Sequence, residues 1–311
     1  MRVVVTGGAG FIGGNLCRRL LATDAIEHVV VLDDLSTGNA ANLDGLPVTF
    51  VHGTITDPQH IDSAFTGAHA VVHLAALGSV PRSVLDPVAS HRANTEGTLM
   101  VLEGARRHGN LHTVVASSSS VYGANPILPK HEQLATRPMS PYAATKLATE
   151  SYTLAWQQAY SLPALAFRFF NVFGPLQPAG HAYAAVIPAF IDAALRGQPL
   201  TVHGDGTQSR DFTYVDTVTA VLADAVVRKV SDPEPVNLAY GSRITLLEVI
   251  DCLESLLGRR LEREHTPTRA GDVPHSQADC SRVQAMFGHV QPTAFADGLA
   301  ATVEWMTSTS G

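Results

Sequence analysis

Tyr142 and Lys146 are the two side chains whose types and spacing point most directly to chemistry. Residues four apart in a helix share a face, so the lysine ammonium would lie near the phenol. A free tyrosine has a pKa of about 10 and is a poor base at neutral pH. A neighbouring positive charge favours the phenolate and lowers that pKa. The pair therefore predicts a tyrosine that takes a proton from a substrate.

A glycine-rich turn near the N-terminus indicates a bound nucleotide. Gly7, Gly10 and Gly13 follow an apolar run and open a helical stretch, a spacing that lets the backbone approach a pyrophosphate at a helix N-terminus. Asp33 lies 20 residues after Gly13, at the end of the next apolar run. Its carboxylate can accept hydrogen bonds from a ribose 2′-OH and would repel a 2′-phosphate. We therefore predict that the cofactor is NAD and not NADP. The oxidised nicotinamide of NAD would also favour a phenolate at Tyr142.

The composition argues against several classes of function. The 311 residues carry 21 Lys and Arg against 28 Asp and Glu, a net charge of −7, which disfavours nucleic acid or an anionic membrane as the main partner. No apolar run approaches the roughly 20 residues of a membrane span, and the chain opens on a strand pattern, so we expect a cytoplasmic protein without a signal peptide. The three cysteines and the histidines are dispersed, so we expect neither disulfides nor a metal site.

The reactive residues need a framework that brings them together, and the hydrophobic pattern predicts one. Short continuous apolar runs alternate with segments of helical length, which is typical of a parallel sheet covered by helices on both faces. We therefore predict an α/β fold, with a Rossmann-type doubly wound parallel sheet and a smaller α/β lobe that binds the substrate. The predicted strands are RVVVT, HVVVLDD, VTFVHG, AVVHLAA, HTVVAS and LPALAFRFFNVFG.

The character of the sequence changes after about residue 174. Proline and glycine interrupt long loops there, which suggests a smaller lobe closing over the edge of the sheet, whereas VDTVTAVLADAVV returns to the first lobe. The boundary is therefore interleaved. We predict an NAD-binding Rossmann domain from residues 1–171 plus about 211–239, and a substrate-binding lobe from about 172–210 plus 240–311.

Several stretches together resemble a known family. TGGAGFIGG, ASSSSVYG, SPYAATK and RFFNVFG are similar to the extended short-chain dehydrogenase/reductases, and among these to the nucleotide-sugar 4-epimerases. The resemblance covers essentially the whole chain, and it implies that the smaller lobe binds a UDP-sugar. Four further stretches are most similar to bacterial UDP-N-acetylglucosamine 4-epimerases: ALGSVPRSVLDP, HAYAAVIP, DGTQSRDFTYVD and RAGDVPHSQAD.

The resemblance singles out one serine of ASSSSVYG, Ser118, as a catalytic hydrogen-bond relay between the sugar 4-OH and Tyr142. Related 4,6-dehydratases have an Asp-Glu pair at the next two positions, because eliminating water needs an acid and a base. Ser119 and Ser120 cannot supply that pair near pH 7. The motif therefore favours epimerisation over dehydration, with Ser119 as a sugar contact and with Ser117 and Ser120 expected to cap or pack.

The resemblance also implies a set of cofactor contacts. One position departs from the family, because an aspartate that often contacts the adenine is replaced by Thr54, which can still donate and accept hydrogen bonds. Phe170 is included for a contact near the nicotinamide, although an apolar strand residue belongs to the core by default. The implied NAD-binding residues are Gly7, Gly10, Phe11, Ile12, Gly13, Asp33, Thr54, Ile55, Leu74, Ala75, Ala76, Tyr142, Lys146 and Phe170.

A second implied set holds the UDP-sugar. The arginines in it suit a diphosphate, because a guanidinium is permanently charged and can bind a phosphate through two parallel hydrogen bonds. The implied substrate-binding residues are Gly78, Ser79, Arg82, Ser119, Asn171, Ala185, Val186, Arg210, Arg269, Asp272 and Ser276.

Three of these residues bear on the identity of the sugar. Ser276 stands where epimerases confined to UDP-glucose and UDP-galactose have a bulky tyrosine, and Gly78 shortens another wall of the pocket. That space favours UDP-GlcNAc and UDP-GalNAc, with UDP-Glc and UDP-Gal as further substrates. Arg82 leaves an alternative open: it either holds its loop, which we favour, or binds the carboxylate of a UDP-uronic acid such as UDP-GlcA or UDP-GlcNAcA.

The reaction that the resemblance implies is NAD-dependent oxidation at C4, rotation of the 4-keto sugar about its bonds to the diphosphate, and reduction from the opposite face. NAD is regenerated in each cycle. A homodimer is also implied, formed through helices near residues 92–108 and 142–160. The less favoured alternatives are a UDP-sugar dehydratase and an NAD-binding regulator without turnover.

Overall fold

Parallel strands and flanking helices alternate along the chain, as the hydrophobic pattern predicts. The computed structural model describes residues 1–179, 184–268 and 274–309. Its strands are β1 (Arg2–Thr6), β2 (His28–Asp33), β3 (Thr49–His52), β4 (Ala70–His73), β5 (His112–Ser118), β6 (Ala164–Phe169), β7 (Asn171–Phe173), β8 (Leu200–His203), β9 (Ser209–Arg210), β10 (Phe212–Tyr214), β11 (Val236–Leu238), β12 (Ile244–Thr245) and β13 (Arg263–Thr266).

The helices lie between these strands and after them. Two short 3₁₀ turns, Ala40–Leu43 and Ser119–Tyr122, and one π-helical turn, Arg92–Glu96, complete the regular structure. The α-helices are α1 (Phe11–Leu21), α2 (Pro58–Phe65), α3 (Val80–Leu85), α4 (Pro87–His91), α5 (Gly97–Arg107), α6 (Pro141–Tyr160), α7 (Val186–Leu195), α8 (Val215–Val227), α9 (Leu246–Leu257), α10 (Ser281–Phe287) and α11 (Phe295–Thr309).

Seven of the strands form one sheet in the order β11-β6-β5-β4-β1-β2-β3, and every pairing in it is parallel. The chain first builds outward from β1 through β2 to β3, and then from β4 toward the other edge. The order therefore switches direction between β1 and β4, and ligands of such sheets bind at the carboxyl ends of the strands beside the switch. The predicted doubly wound α/β fold is confirmed.

Helices cover both faces because successive apolar residues of a strand point to opposite sides. Val3 and Val5 of β1 pack in the core that α1 and α8 complete, whereas Val4, between them, packs in the core that α2 and α5 complete. This burial on both faces explains why the strands appear in the sequence as unbroken apolar runs.

A separate apolar core joins α7, α9 and α11 to β8, and the short strand pairs β7–β10, β9–β12 and β8–β13 lie in this region of the chain. The edge strand β11 belongs to the large sheet, beside β6. The predicted boundaries between the NAD-binding domain and the substrate-binding lobe, at residues 171, 211 and 239, stay a proposal. Across the described ranges, no helix is both long and apolar enough to cross a membrane.

The stretch LPALAFRFFNVFG forms two strands where one was predicted. β6 pairs within the large sheet, the chain turns at Phe170, and β7 pairs with β10 instead. The backbone N–H of Asn171 donates to the carbonyl oxygen of Asp211 at 3.1 Å, which draws this residue away from the sheet. An apolar run predicts that its residues are buried, but it does not indicate with which strand each half of the run pairs.

Candidate active site

The glycine-rich turn joins β1 to α1 at the carboxyl edge of the sheet. Gly7 has a φ of +72°, and a Cβ there would lie 2.6 Å from the backbone nitrogen of Ala75, so a side chain is excluded on both counts. Gly13 lies in the first turn of α1, where a Cβ would lie 2.1 Å from the carbonyl oxygen of Gly7. The turn therefore packs directly on the helix and leaves the helix N-terminus facing outward, an arrangement that binds a pyrophosphate.

Asp33 ends β2 beside this turn. Its two carboxylate oxygens accept hydrogen bonds from the backbone N–H groups of Ala9, at 2.9 Å, and Leu35, at 2.8 Å. Burial raises the pKa of Asp33, and these two hydrogen bonds oppose the rise. A carboxylate fixed at a glycine-rich turn suits the ribose of a dinucleotide. The residues of β1, α1 and β2 therefore fit NAD.

Most of the other implied cofactor contacts lie along the same edge. Phe11 and Ile12 are the first two residues of α1, and Leu74–Ala76 follow β4 directly, against Gly7. Ile55 follows β3 and is buried. The carboxyl ends of β1 to β4 thus bring together residues that are far apart in the sequence.

Two implied cofactor contacts, Thr54 and Phe170, are engaged by neighbouring protein groups. The Thr54 backbone N–H donates to Nδ1 of His60 at 3.2 Å, and the Thr54 hydroxyl lies 3.0 Å from that of Thr56. Phe170 is 6% exposed and packs in a small apolar cluster that includes Tyr122. The surroundings of Phe170 are those of a core residue.

Ser118, Tyr142 and Lys146 meet where β5 ends against α6. Ser140 caps α6, so Tyr142 falls in the first turn of the helix and Lys146 in the second, on the same face. The Ser118 side chain hydrogen-bonds the phenol of Tyr142. Nζ of Lys146 donates to the carbonyl oxygen of Ala116 at 2.9 Å. The structure brings together the three residues that the sequence assigns to proton transfer.

Burial shifts the pKa values of this pair in opposite directions. It raises the pKa of Tyr142, and the hydrogen bond with Ser118 opposes the rise. It lowers the pKa of Lys146 to about 8. Burial is thus the largest influence of the protein on the pKa of Tyr142, and it acts against the lowering of that pKa that the spacing to Lys146 predicts. The physical reason is that a phenolate removed from water loses its hydration.

A buried ion pair holds α6 against the sheet one turn beyond Lys146. Arg168 of β6 donates from Nε, at 2.9 Å, and Nη2, at 2.5 Å, to the carboxylate of Glu150. The Ser117 hydroxyl donates to the same carboxylate at 3.0 Å. Ser117, expected only to cap or pack, therefore links the strand that carries Ser118 to the helix that carries Lys146.

A chain of buried polar side chains behind the site is absent from the predicted set. Nδ1 of His73, at the end of β4, lies 2.7 Å from the Thr6 hydroxyl, and Nε2 lies 3.0 Å from that of Thr98. The Thr98 hydroxyl is in turn 3.1 Å from that of Thr149 on α6. Burial and the charge of Lys146 lower the pKa of His73 to about 3, so the ring is neutral. In the sequence, the one indication of this chain of polar side chains is a histidine inside the apolar run AVVHLAA.

The residues expected to line one side of the sugar pocket begin α3, which packs on the first turn of α6. The Ser83 hydroxyl accepts the backbone N–H of Tyr142 at 3.0 Å, and Ser79 caps α3. A Cβ on Gly78 would meet nothing within 4 Å, so this position borders open space. Arg82 is exposed.

The expected diphosphate and sugar contacts of the smaller lobe gather around one strand end. The backbone N–H and Nδ2 of Asn171 both donate to the carbonyl oxygen of Asp211, at 3.1 and 3.2 Å. Arg210 precedes Asp211, and the backbone N–H of Ser276 donates to the carbonyl oxygen of Ser209 at 3.0 Å. The structure thus brings Asn171, Arg210 and Ser276 close together in the fold.

The remaining implied substrate contacts are more dispersed. Ser119 begins the 3₁₀ turn after Ser118, while Ala185 and Val186 mark the start of α7. Arg269 and Asp272 lie outside the described residues.

Comparisons with known proteins agree with this geometry. Residues 3–239 match the model of the NAD dependent epimerase/dehydratase family. A UDP-glucose 4-epimerase of Mycolicibacterium smegmatis is 37% identical over the full length of both chains. The structure of a UDP-N-acetylglucosamine 4-epimerase from Methanobrevibacter ruminantium, bound to UDP-N-acetylmuramic acid, superposes with a TM-score of 0.92 at 34% identity and covers 99% of this chain and 98% of that one.

A third relative widens the range of sugars. The UDP-glucuronic acid 4-epimerase of Bacillus cereus, solved with UDP-glucuronic acid and NAD, superposes with a TM-score of 0.90 at 30% identity, covering 99% of this chain and all of the other. The resemblance drawn from the motifs is confirmed, and so is the NAD cofactor. The chain belongs to the NAD dependent epimerase/dehydratase family.

Proposed function

We propose that this protein is a UDP-sugar 4-epimerase that prefers the UDP-GlcNAc/UDP-GalNAc pair. The observation that carries the proposal is the meeting of Ser118, Tyr142 and Lys146 at the carboxyl edge of the sheet, beside a turn that fits NAD. The names of the three relatives described above support the reaction, since each is a 4-epimerase of a UDP-sugar.

The chain's own residues handle the proton of the reaction. Bound NAD supplies the oxidising and reducing equivalents at C4 of the sugar. Tyr142 accepts the proton of the 4-OH, and the Ser118 hydroxyl, hydrogen-bonded to the phenol, relays it between the sugar oxygen and Tyr142. Lys146 lies one helical turn away, where its positive charge would oppose the rise that burial causes in the pKa of Tyr142. The proton returns by the same path. Because bound NAD would give back to C4 the reducing equivalents taken from it, the cycle needs no external reductant.

The residues after Ser118 make dehydration the weaker assignment. Elimination of water needs an acid and a base, and the hydroxyls of Ser119 and Ser120 supply neither near neutral pH. The Ser120 hydroxyl is buried and has no hydrogen-bond partner among the described residues. This part of the site therefore favours chemistry confined to C4.

Open space at two positions favours an N-acetylated sugar. Gly78 borders space in which a Cβ would meet no atom, and Ser276 presents a short side chain on a segment held to β9. Such space permits a larger group but discriminates by only about 1–3 kcal/mol, so UDP-Glc and UDP-Gal remain further, weaker substrates. A UDP-uronic acid is the second candidate, because Arg82 is exposed on α3 and the Bacillus cereus relative is named for such a sugar.

The test is to incubate the purified protein with UDP-GlcNAc, UDP-Glc, UDP-GlcA and UDP-GlcNAcA without added reductant. Proton NMR of the anomeric region reports each 4-epimer. We expect the fastest turnover with UDP-GlcNAc, and a loss of at least about 100-fold in Tyr142→Phe. No new epimer from any of the four would overturn the assignment, and a 4-keto-6-deoxy product would indicate dehydration. Epimerisation of the uronic acids alone would establish the second candidate.

Ser276→Tyr tests the assigned preference separately. A tyrosine there would fill the space proposed for the acetamido group, so we expect loss of turnover of UDP-GlcNAc with retention of UDP-Glc turnover. Ser276→Ala is the matched control, because it keeps the space open. An equal loss for both sugars in Ser276→Tyr would contradict a role in selecting the sugar.

A further inference from the structure

Asp211 is a fully buried carboxylate at the junction of β9 and β10. Removing a carboxylate from water costs free energy unless hydrogen-bond donors surround it. Oδ2 accepts the backbone N–H of Ala278 at 2.9 Å, and Oδ1 accepts the Ser242 hydroxyl at 3.0 Å. The backbone N–H groups of Gly241 and Ser242 also bond to this carboxylate, which opposes the rise that burial causes in its pKa.

Asp211 joins three segments that are distant in the sequence, two through its carboxylate and one through its backbone carbonyl. One is the loop after β11, which carries Gly241 and Ser242, and another is the stretch 274–279. The third is β7, since the carbonyl oxygen of Asp211 accepts both the backbone N–H and the side-chain amide of Asn171. Asp211 thus lies at the point where the loop after β11, the 274–279 stretch and β7 meet.

Two of these segments, together with β9, carry groups expected to bind the UDP-sugar: Asn171 on β7, Ser276 in the 274–279 stretch and Arg210 on β9. Arg210 is the adjacent residue, and its Nη1 donates to the carbonyl oxygen of Pro274 at 3.2 Å. Ser276 lies two residues before Ala278, the backbone donor to Asp211, and is itself bonded to β9. A movement of the Asp211 carboxylate would therefore change the spacing between Arg210 and Ser276.

A carboxylate suits this position in a way that an amide does not. A carboxylate only accepts hydrogen bonds, and the groups around it are N–H and O–H donors. An asparagine has almost the same shape, but its NH₂ group would face one of those donors. A buried donor would then lose its partner.

We propose that Asp211 is a positioning residue whose carboxylate holds the 274–279 stretch and the loop after β11 against Arg210 and so sets the affinity for the UDP moiety of the substrate. It does not touch the reacting atoms. The proposal rests on the proposed function, since it concerns the substrate of that same site.

The test compares Asp211→Asn with Thr213→Val, a matched control. Thr213 is buried on the adjoining strand β10, and its hydroxyl has no hydrogen-bond partner in the described part of the chain, so valine keeps its shape and removes no bond. Calorimetry measures the Kd of UDP, and kinetics with UDP-GlcNAc separate KM from kcat. For Asp211→Asn we expect Kd and KM to rise at least tenfold, with kcat within threefold of wild type and bound NAD unchanged. Thr213→Val should match wild type in every measurement.

Hydrogen exchange provides a readout that does not depend on turnover. Without UDP, the amides of residues 274–279 should exchange faster in Asp211→Asn than in wild type, because the carboxylate no longer holds the Ala278 N–H. Ser242→Ala removes one donor to the carboxylate, together with the acceptor of the Phe212 backbone N–H, and should speed exchange at 274–279 by less than Asp211→Asn does. It tests the same role if Asp211→Asn does not fold.

The outcomes separate this inference from the proposed function. A wild-type protein that binds UDP but epimerises nothing would overturn the proposed function, while the UDP affinities and exchange rates would still test Asp211. If Asp211→Asn binds UDP within twofold of wild type, or if neither variant changes exchange at 274–279, the positioning role is overturned.

Discussion

The titratable side chains of the site make its pH behaviour testable residue by residue. Burial raises the pKa of Asp211 to about 6 and lowers that of Lys146 to about 8. In both cases the charged form is disfavoured because it has been removed from water. Asp211 is the better subject for measurement, since an asparagine of the same shape removes its titration.

The pH dependence of stability should reveal this residue. The folded protein holds the Asp211 proton more tightly than the unfolded chain does, because its pKa is raised from 3.8 to about 6. The unfolding free energy contributed by this group is therefore fully present below pH 4 and falls as the pH rises to about 6. Relative to Asp211→Asn, wild type should lose on the order of 3 kcal/mol between pH 4 and 7.

Urea unfolding of both proteins at matched NAD concentration and ionic strength measures this difference. Cys280 is the titratable group that senses the charge of Asp211, and burial raises its own pKa above 9.0, so it does not titrate in this range. Parallel stability profiles of the two proteins between pH 4 and 7 would show that the pKa of Asp211 is not raised.

At the scale of elements, the active site depends on how two helices meet the sheet. α6 is held by the Arg168–Glu150 pair and by the Ser117 hydroxyl, and its first turn is capped by Ser140 and bonded to Ser83. α1 is held by glycine contacts with the turn before it. Both helices are thus fixed at the ends that face the cofactor.

Gly13→Ala tests the contact of α1 with its turn. The added Cβ would lie 2.1 Å from the Gly7 carbonyl oxygen and 2.6 Å from Cα of Gly8, which are backbone atoms that cannot rotate away. We expect purified Gly13→Ala to retain little NAD and to lose about 1–3 kcal/mol of stability, or more. Gly10→Ala is the control, because its Cβ would meet a single atom, at 3.1 Å.

Two measurements distinguish the variants. The first is the NAD content, read by absorbance after denaturation, and the second is thermal unfolding of the NAD-free proteins. Gly10→Ala should unfold close to the wild-type temperature even if its NAD content falls, because any side chain there affects the approach of the pyrophosphate rather than the packing of the helix. Wild-type stability in Gly13→Ala would contradict the packing argument.

At the scale of the whole molecule, the parallel sheet gathers the site at one edge. Thr6, Asp33, His73 and Ser118 are the last residues of β1, β2, β4 and β5, and parallel strands place such ends side by side. On α6, Ala144 and Ala155 are exposed. This is one of the two helices through which a homodimer is predicted.

Ala155→Arg tests that assembly. Two helices packed closely across a dimer interface leave no room for an arginine in place of a methyl group, so we expect the variant to elute as a monomer in size-exclusion chromatography with light scattering. Ala285→Arg, at an exposed alanine of α10, is the matched control and should retain the wild-type mass. A dimeric Ala155→Arg protein would place any interface elsewhere.

Local patterns in the sequence were sufficient for the fold class, the glycine-rich turn and the proximity of Tyr142 and Lys146. Apolar runs predict buried parallel strands because both faces of each strand are covered, and the Gly7–Gly13 spacing reflects contacts within a single turn. Tyr142 and Lys146 are four residues apart on one helix, so their proximity needs no long-range information. Asp33 could be placed because β2 ends where its apolar run ends.

Only the tertiary structure decided the features that depend on which distant segments meet. The end of β6 at Phe170, the His73 chain and the Arg168–Glu150 pair arise from contacts that no local pattern reports. The pKa shifts of Tyr142 and Asp211 have the same origin, because burial is a property of the packed chain. The four serines of ASSSSVYG are chemically identical in the sequence, and their different hydrogen bonds follow from what surrounds each one after folding.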